Sequence, residues 1–171
     1  MTLTQLHLLV AASGLLIACA RPHAGSQDSA AMSGDTTTLV MLDRGACHGT
    51  CPIYAVRLAA NGQVRFVGAR FVSPIGVDSA RVASASVEAL RTAFADRKFA
   101  GVPSAIEFGT RHCGRYVADL STLELTVRVA TGEHRVRYDQ GCGDHPLMLD
   151  TLASMVDSVS GSSRWTRVAR P

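Results

Sequence analysis

The feature that most restricts the fold of this chain is a strict alternation of apolar and polar residues on both sides of an Asn-Gly pair. The pair is Asn61-Gly62. The alternating apolar positions are Tyr54, Val56 and Leu58 before it and Val64 and Phe66 after it. Asn-Gly suits a two-residue turn in which both positions take positive φ, and a period of two gives each strand one apolar face. The segment therefore predicts an antiparallel hairpin whose apolar face needs a covering layer.

A second alternating segment lies in the carboxyl-terminal half of the chain. Its apolar positions are Leu123, Leu125, Val127 and Val129, followed beyond Gly132 by Val136 and Tyr138. The polar residues between them share the opposite face, as expected for a second hairpin with one buried side. A further strand is predicted over residues 37–42 and a weaker one over residues 78–83.

Two segments have the three-to-four-residue apolar spacing of amphipathic helices. The apolar positions are Val87, Leu90 and Phe94 in the first and Leu149, Leu152, Ala153, Val156 and Val159 in the second. Ser84 or Ser86 is the predicted N-terminal cap of the first helix, which is expected to stop near Gly101. The second helix is predicted to begin at about Pro146 and to end at Gly161.

The predicted order of elements is therefore strand, hairpin, helix, hairpin, helix. One-faced antiparallel strands with two amphipathic helices predict the α+β class. We expect a two-layer domain in which an antiparallel sheet of hairpins has both helices packed on one face. Residues 38–168 are enough chain for a single globular domain with its own core.

The amino terminus resembles that of a bacterial lipoprotein. Residues 8–17 form an apolar run of the length of a signal-peptide core, too short to cross a bilayer as a helix. Leu16-Ile17-Ala18-Cys19 resembles the lipobox recognised by lipoprotein signal peptidase. The resemblance implies a signal peptide over residues 1–18 and a membrane anchor on Cys19, with residues 19–37 as a flexible tether. We expect export to the cell envelope, and Ala20 favours the outer membrane, facing the periplasm, in a Gram-negative cell.

Composition and motifs argue against several classes of activity. The basic residues are almost all Arg and lie scattered between apolar neighbours, and aromatic residues are few, which argues against nucleic-acid binding. The chain has no Ser-centred nucleophile elbow, phosphate-binding Gly loop or paired-histidine zinc motif. We therefore expect a binding or structural domain rather than an enzyme, with an envelope protein or a ligand as partner and no cofactor.

Four cysteines remain beyond Cys19. They are Cys47, Cys51, Cys113 and Cys142. An even number of cysteines in an exported domain indicates disulfides, because an oxidising compartment preserves them. Four cysteines permit three connectivities, and the sequence alone does not select one.

Residues 47–54 are similar to the signature of a bacterial family. The signature residues are Cys47, Gly49, Cys51, Pro52 and Tyr54. This Cys-x-Gly-x-Cys-Pro-x-Tyr pattern resembles the domain-of-unknown-function family DUF6438, and Asp119 and Trp165 fit its supporting pattern. The resemblance spans residues 39–165 and implies no established activity. Many members carry only the first cysteine pair, so the resemblance implies that Cys47 bonds Cys51 and that Cys113 bonds Cys142.

Two other functions of the cysteine loops stay open at the level of sequence. Histidines lie beside or near the cysteines, so the loops would supply a copper or zinc site if they met at one edge of the sheet. The candidate ligands are Cys47, His48, Cys51, His112, Cys113, Cys142 and His145. A thiol-disulfide oxidoreductase is the third alternative. It needs a thiolate stabilised by a helix amino terminus or a cation, whereas a strand is predicted after Pro52.

Overall fold

A seven-stranded sheet is the frame of the residues described by the computed structural model, which are 38–129 and 132–167. The strands are β1 (Thr38–Arg44), β2 (Ile53–Ala59), β3 (Gln63–Arg70), β4 (Gly76–Arg81), β5 (Ala105–Ile106), β6 (Thr122–Val129) and β7 (Gly132–Asp139). Their order across the sheet is β4-β3-β2-β1-β6-β7-β5. The two predicted hairpins therefore form the two halves of the sheet, and β1 joins them.

The central strand β1 shows which residues share a face. Leu42 lies opposite Val56 of β2 and Leu125 of β6, and all three side chains are fully buried. Directly opposed residues of antiparallel strands project to the same side of a sheet. The apolar positions of both alternating segments therefore lie on one buried face, as their period of two predicts.

The helices contribute buried residues to the same hydrophobic core. They are α1 (Ser84–Asp96), a 3-10 turn (Phe99–Gly101), α2 (Met148–Ser160) and α3 (Ser163–Thr166). The helices α1 and α2 contact each other, and both contact β1. Their apolar stripes join the apolar strand residues in one core, so the described residues have a mixed α+β fold, as predicted. Gly161 ends α2 in the left-handed conformation (φ 66°), which confirms the predicted C-terminal cap.

The turn of the first hairpin differs from the predicted type. The Gly62 amide donates to the Ala59 carbonyl (2.9 Å), and Gly62 has a φ of 83°, whereas Asn61 does not have a positive φ. The hairpin thus has a three-residue loop with one left-handed residue, not a two-residue turn with two. A Cβ atom on Gly62 would lie 2.1 Å from the Val82 carbonyl oxygen. The chain that follows β4 therefore leaves no room for a side chain at this glycine.

Two further predictions are wrong in detail. The sheet is not wholly antiparallel, because β5 pairs with β7 in the parallel direction. A strand of two residues has no alternation that a sequence pattern reveals. Neither Ser84 nor Ser86 caps α1, since Ala83 occupies the N-cap position and no side chain bonds there. The preceding residue, Val82, is still bonded to the first hairpin, so the chain turns into the helix at Ala83.

Several predictions concern parts of the chain outside the described residues. They are the signal peptide (residues 1–18), the lipidated Cys19 and the tether (residues 19–37). Among the helices of residues 38–129 and 132–167, none is both long enough and apolar enough to cross a bilayer.

Candidate functional site

The cysteine loops lie at one end of the sheet. Cys47 and Cys51 form a disulfide within the loop between β1 and β2, with 5.8 Å between their Cα atoms. Cys113 and Cys142 form a second disulfide, with 4.5 Å between their Cα atoms, which joins the loop before β6 to the loop after β7. Both pairs are the ones that the family resemblance implies, so this pairing is confirmed.

Backbone hydrogen bonds connect these loops to one another. The His48 amide donates to the Asp119 carbonyl (3.0 Å), and the Gln140 amide donates to the Ser121 carbonyl (3.0 Å). Asp119 has a φ of 75°, a conformation that Asp adopts more readily than most residues. The loop that carries the signature is thus fixed to the segment that enters β6, and that segment is fixed to the end of β7.

The second disulfide is buried between two closely paired loops. Cys113 and Cys142 are both inaccessible to solvent or nearly so. The Val117 amide donates to the Gly141 carbonyl (2.9 Å), and a Cβ atom on Gly141 would lie 2.0 Å from the Val117 carbonyl oxygen. A glycine beside Cys142 therefore permits the close approach of the two loops that the disulfide bridges.

The tyrosine of the signature contacts helix α2. The Tyr54 hydroxyl donates to Asp157 Oδ1 (2.5 Å), and Arg44 donates from Nε and Nη2 to Asp157 Oδ2 (3.0 and 2.6 Å). Ser162 Oγ donates to Asp157 Oδ1 (2.8 Å). Burial and the neighbouring Asp157 carboxylate raise the pKa of Tyr54, so the phenol keeps its proton and acts as a donor. This signature position therefore joins β2 to α2.

A second carboxylate of α2 has a similar environment. Asp150 Oδ1 accepts hydrogen bonds from the Tyr138 hydroxyl (3.1 Å) and from Gln140 Nε2 (2.9 Å). Its Oδ2 lies 2.8 Å from His145 Nε2, and His145 Nδ1 lies 2.5 Å from the Cys142 carbonyl oxygen. Both ring nitrogens face acceptors, and only a protonated imidazole donates from both. Burial lowers the pKa of His145, but the bonds to Asp150 and Cys142 outweigh burial and raise it.

These two carboxylates hold α2 at two points. Asp150 and Asp157 are seven residues apart, which is about two helical turns, so they lie on the same side of the helix. Neither carboxylate belongs to a motif that the sequence patterns above single out. Each directly follows a residue of the apolar stripe, Leu149 or Val156. An Asp repeated after seven residues beside a buried stripe is the sequence pattern that could have identified them.

The histidines near the cysteines have separate environments. The His48 side chain is exposed, and His112 Nε2 accepts a hydrogen bond from Arg111 Nε (2.9 Å). His145 is held by Asp150. The sulfur atoms of all four cysteines in the described chain are in disulfides. Within residues 38–129 and 132–167, no three His, Cys, Asp or Glu side chains are grouped so that they could hold a metal ion.

Trp165, near the end of the described chain, belongs to the core. Its ring stacks on Phe66 with 4.4 Å between the centroids, and its Nε1 donates to Asp78 Oδ2 (2.7 Å). The Arg164 guanidinium lies over the same ring, 5.0 Å from its centroid. Trp165 therefore closes the core beside β3 and β4.

Comparison with known families agrees with the resemblance seen in the signature. The family described as "Domain of unknown function (DUF6438)" matches residues 38–160. The match includes the signature, both disulfides and the whole of α2. No curated protein matches the chain.

Proposed function

This chain belongs to the DUF6438 family, and we propose that it is a lipid-anchored protein of the bacterial cell envelope whose domain binds a ligand or a partner protein without turnover. The observation that carries the proposal is that every cysteine of the described domain is in a disulfide. Disulfides persist in exported proteins and are rare in the cytosol. They support the interpretation of the lipobox-like segment before Cys19, because lipidation of that residue follows export.

Two polar clusters on α2, one around Asp157 and one around Asp150, favour a binding or structural role over a catalytic one. The oxygens of Asp157 and Asp150 already accept hydrogen bonds from neighbouring strands and loops. A catalytic carboxylate needs an oxygen within reach of the substrate proton. Burial, together with the adjacent carboxylates, raises the pKa of both Tyr54 and Tyr138, so neither phenol acts as a base near neutral pH.

The proposed domain has two layers, with α1 and α2 on the same face of the sheet. The composition of the core supports this arrangement. The buried side chains of both helices cluster with the alternating apolar residues of β1, β2, β3, β6 and β7. Such a layer leaves the other sheet face, which carries Glu124, Arg135 and Arg137, available to solvent or to a partner.

The lipid anchor is tested by replacing the cysteine that would carry it. The full chain and its Cys19→Ser variant are expressed in a Gram-negative host that is fed alkyne-labelled palmitate. We expect the unchanged chain to incorporate label, to lose residues 1–18 and to sediment with membranes. The Cys19→Ser variant is expected to do none of these, whereas the control Ser26→Ala, in the predicted tether, is expected to behave like the unchanged chain. A second variant, Ala20→Asp, is expected to move the protein from the outer to the inner membrane.

Several results would contradict the proposal. A Cys19→Ser variant that is still cleaved after residue 18 and still sediments with membranes would exclude the anchor. Intact mass after denaturing alkylation tests the cysteines, and we expect two oxidised pairs with no added alkyl groups. Free thiols, with a metal adduct that disappears on denaturation, would favour the copper or zinc alternative. A reaction turned over by the purified chain and abolished by a single side-chain change would contradict the binding role.

A further inference from the structure

A cavity of about 300 Å³ lies between α1, the 3-10 turn and the end of β6. This is the end of β6 away from the cysteine loops, which adjoin its first residues. The volume is at the lower limit of small-molecule sites, which span about 300–1,000 Å³. The cavity is therefore large enough for one small ligand or one short acyl chain, and it is separate from the polar clusters on α2.

The wall of the cavity is apolar and belongs to the protein core. Phe94 of α1 and Phe99 of the 3-10 turn contribute rings in edge-to-face contact, with 4.9 Å between their centroids. Val127 and Val129 contribute the wall on β6. Phe94, Phe99 and Val127 are buried members of the main core, and Val129 packs against it. Because the core holds these side chains in place, a ligand would not have to order them on binding.

The rim of the cavity is cationic. Arg91, Lys98 and Arg128 are among the lining residues, and no carboxylate is. Two of these cations have partners nearby. Arg91 Nε donates to Glu88 Oε2 (2.9 Å), and Arg128 Nε donates to the Thr38 carbonyl (3.1 Å).

Lys98 differs from the two arginines. It is the one lysine of the whole sequence, and its side chain makes no hydrogen bond or ion pair with another residue of the described ranges. A left-handed backbone (φ 53°) places it between the end of α1 and the 3-10 turn. An uncompensated ammonium at the mouth of an apolar cavity would attract an anion and favour ligands with an apolar body.

From these observations we propose that the cavity binds a single-chain amphipathic anion, namely a medium-chain fatty acid. Its tail would lie against the accessible lining residues Ala95, Ala100 and Val129, which cover the buried rings of the core, and its carboxylate would contact Lys98. The walls offer few polar groups, which disfavours sugars, nucleotides and peptides as ligands. The small volume disfavours lipids with two acyl chains. The inference names a ligand class for the binding role proposed above and rests on that role, but it does not depend on the anchor at Cys19.

The test is calorimetric titration with sodium decanoate of the chain from residue 20 onward, exported behind a signal peptide without a lipobox so that it carries no lipid. The buffer is free of detergent, and decanoate is kept below the concentration at which micelles form. Decanol and decyltrimethylammonium serve as uncharged and cationic probes of the same tail length. We expect saturable binding of decanoate, at least about tenfold tighter than binding of the cationic probe, and weaker at high salt. Lys98→Gln is expected to weaken decanoate binding about tenfold. Arg97→Gln, which removes the same charge one residue away from the lining, is expected to leave it unchanged.

A second variant tests the cavity without altering the charge. Ala95 lines the cavity from the exposed side of α1, so Ala95→Phe should fill the space while leaving the core intact. We expect it to abolish decanoate binding without lowering the melting temperature. The inference is overturned if decanoate does not bind, if the three probes bind equally well, or if both Lys98→Gln and Ala95→Phe bind like the unchanged chain. If decanoate does not bind but Cys19 is lipidated normally, the fatty-acid ligand is rejected and the proposed envelope location is unaffected.

Discussion

Replacement of Asp157 by Asn is the most direct test of how the signature contributes to the fold. The substitution keeps the shape of the side chain but removes the charge that Arg44 and Tyr54 contact. It also exchanges one acceptor oxygen for an amide that cannot accept. Either the Arg44 guanidinium or the Tyr54 and Ser162 hydroxyls therefore lose their acceptor.

The size of the effect follows from the number of bonds and their exposure. Hydrogen bonds to charged groups contribute about 1.5–3 kcal/mol each, and breaking a fully buried ion pair costs about 3–5 kcal/mol. The Arg44 and Asp157 side chains remain 22% and 23% exposed, so hydrogen bonds to water compensate for part of the lost interaction. We expect Asp157→Asn to lower the free energy of unfolding by about 2–3 kcal/mol. Tyr54→Phe leaves the ion pair in place and should cost about 1 kcal/mol.

The assay is denaturant unfolding of the full chain, followed by the fluorescence of its single tryptophan, Trp165, which packs in the core. Asp96→Asn is the matched control, because Asp96 is an exposed residue at the end of α1. The Tyr54→Phe and Asp157→Asn variants, combined in a double-mutant cycle, should show a coupling of about 1 kcal/mol. If Asp157→Asn unfolds within about 0.5 kcal/mol of Asp96→Asn, the cluster does not hold α2 as described.

Three further predictions concern single sites. Burial and the carboxylate directly opposite on β6 raise the pKa of Asp43, so its charge costs stability above that pKa. Asp43→Asn should add about 0.5–1 kcal/mol at pH 7 and nothing at pH 3 in urea titrations. The pKa of His145 is raised and that of Asp150 lowered. Their contact should therefore contribute fully between about pH 4 and 6.5, and its contribution is lost as the pH rises through the folded pKa of His145. His145→Gln should then cost about 1 kcal/mol at pH 5.5 and less at pH 9, and a larger cost at pH 9 would contradict the assignment. Gly62→Ala should cost about 2–3 kcal/mol by thermal unfolding, because of its positive φ and the adjacent carbonyl, whereas Gly101→Ala, which has open space, should cost little.

The parts of the fold that sequence predicts are those with local causes. The period of two in β2, β3 and β6 reports directly which side chains are buried, because alternate residues of a strand project to opposite faces. Gly161 identifies the end of α2 because the left-handed C-terminal cap favours a residue without a Cβ atom. The disulfide pairing is different. Four cysteines left three connectivities open, and the family resemblance, not the spacing, selected the one observed.

The parts that sequence did not predict depend on distant segments. Tyr54 and Asp157 are 103 residues apart, and an Asp on the flank of an amphipathic helix has the pattern of a solvated residue until its partner is known. The parallel pairing of β5 depends on the path of the chain after α1, and two residues are too few for a periodic signal. The turn at Gly62 depends on Val82, twenty residues later. Packing of distant segments, rather than local preference, determines each of these features.

The position of β1 at the centre of the sheet has a mechanical consequence. A tether that ends at residue 37 would transmit tension from the membrane to Thr38, the first residue of β1. Because β1 is hydrogen-bonded to β2 on one side and to β6 on the other, a pull along the strand loads both ladders in shear at once. At its far end, β1 runs into the loop closed by the Cys47–Cys51 disulfide, which limits how far that segment can be extended. Tension applied at Thr38 would therefore act on a strand that is paired along both of its edges, and both ladders would have to break together before the strand could be pulled out.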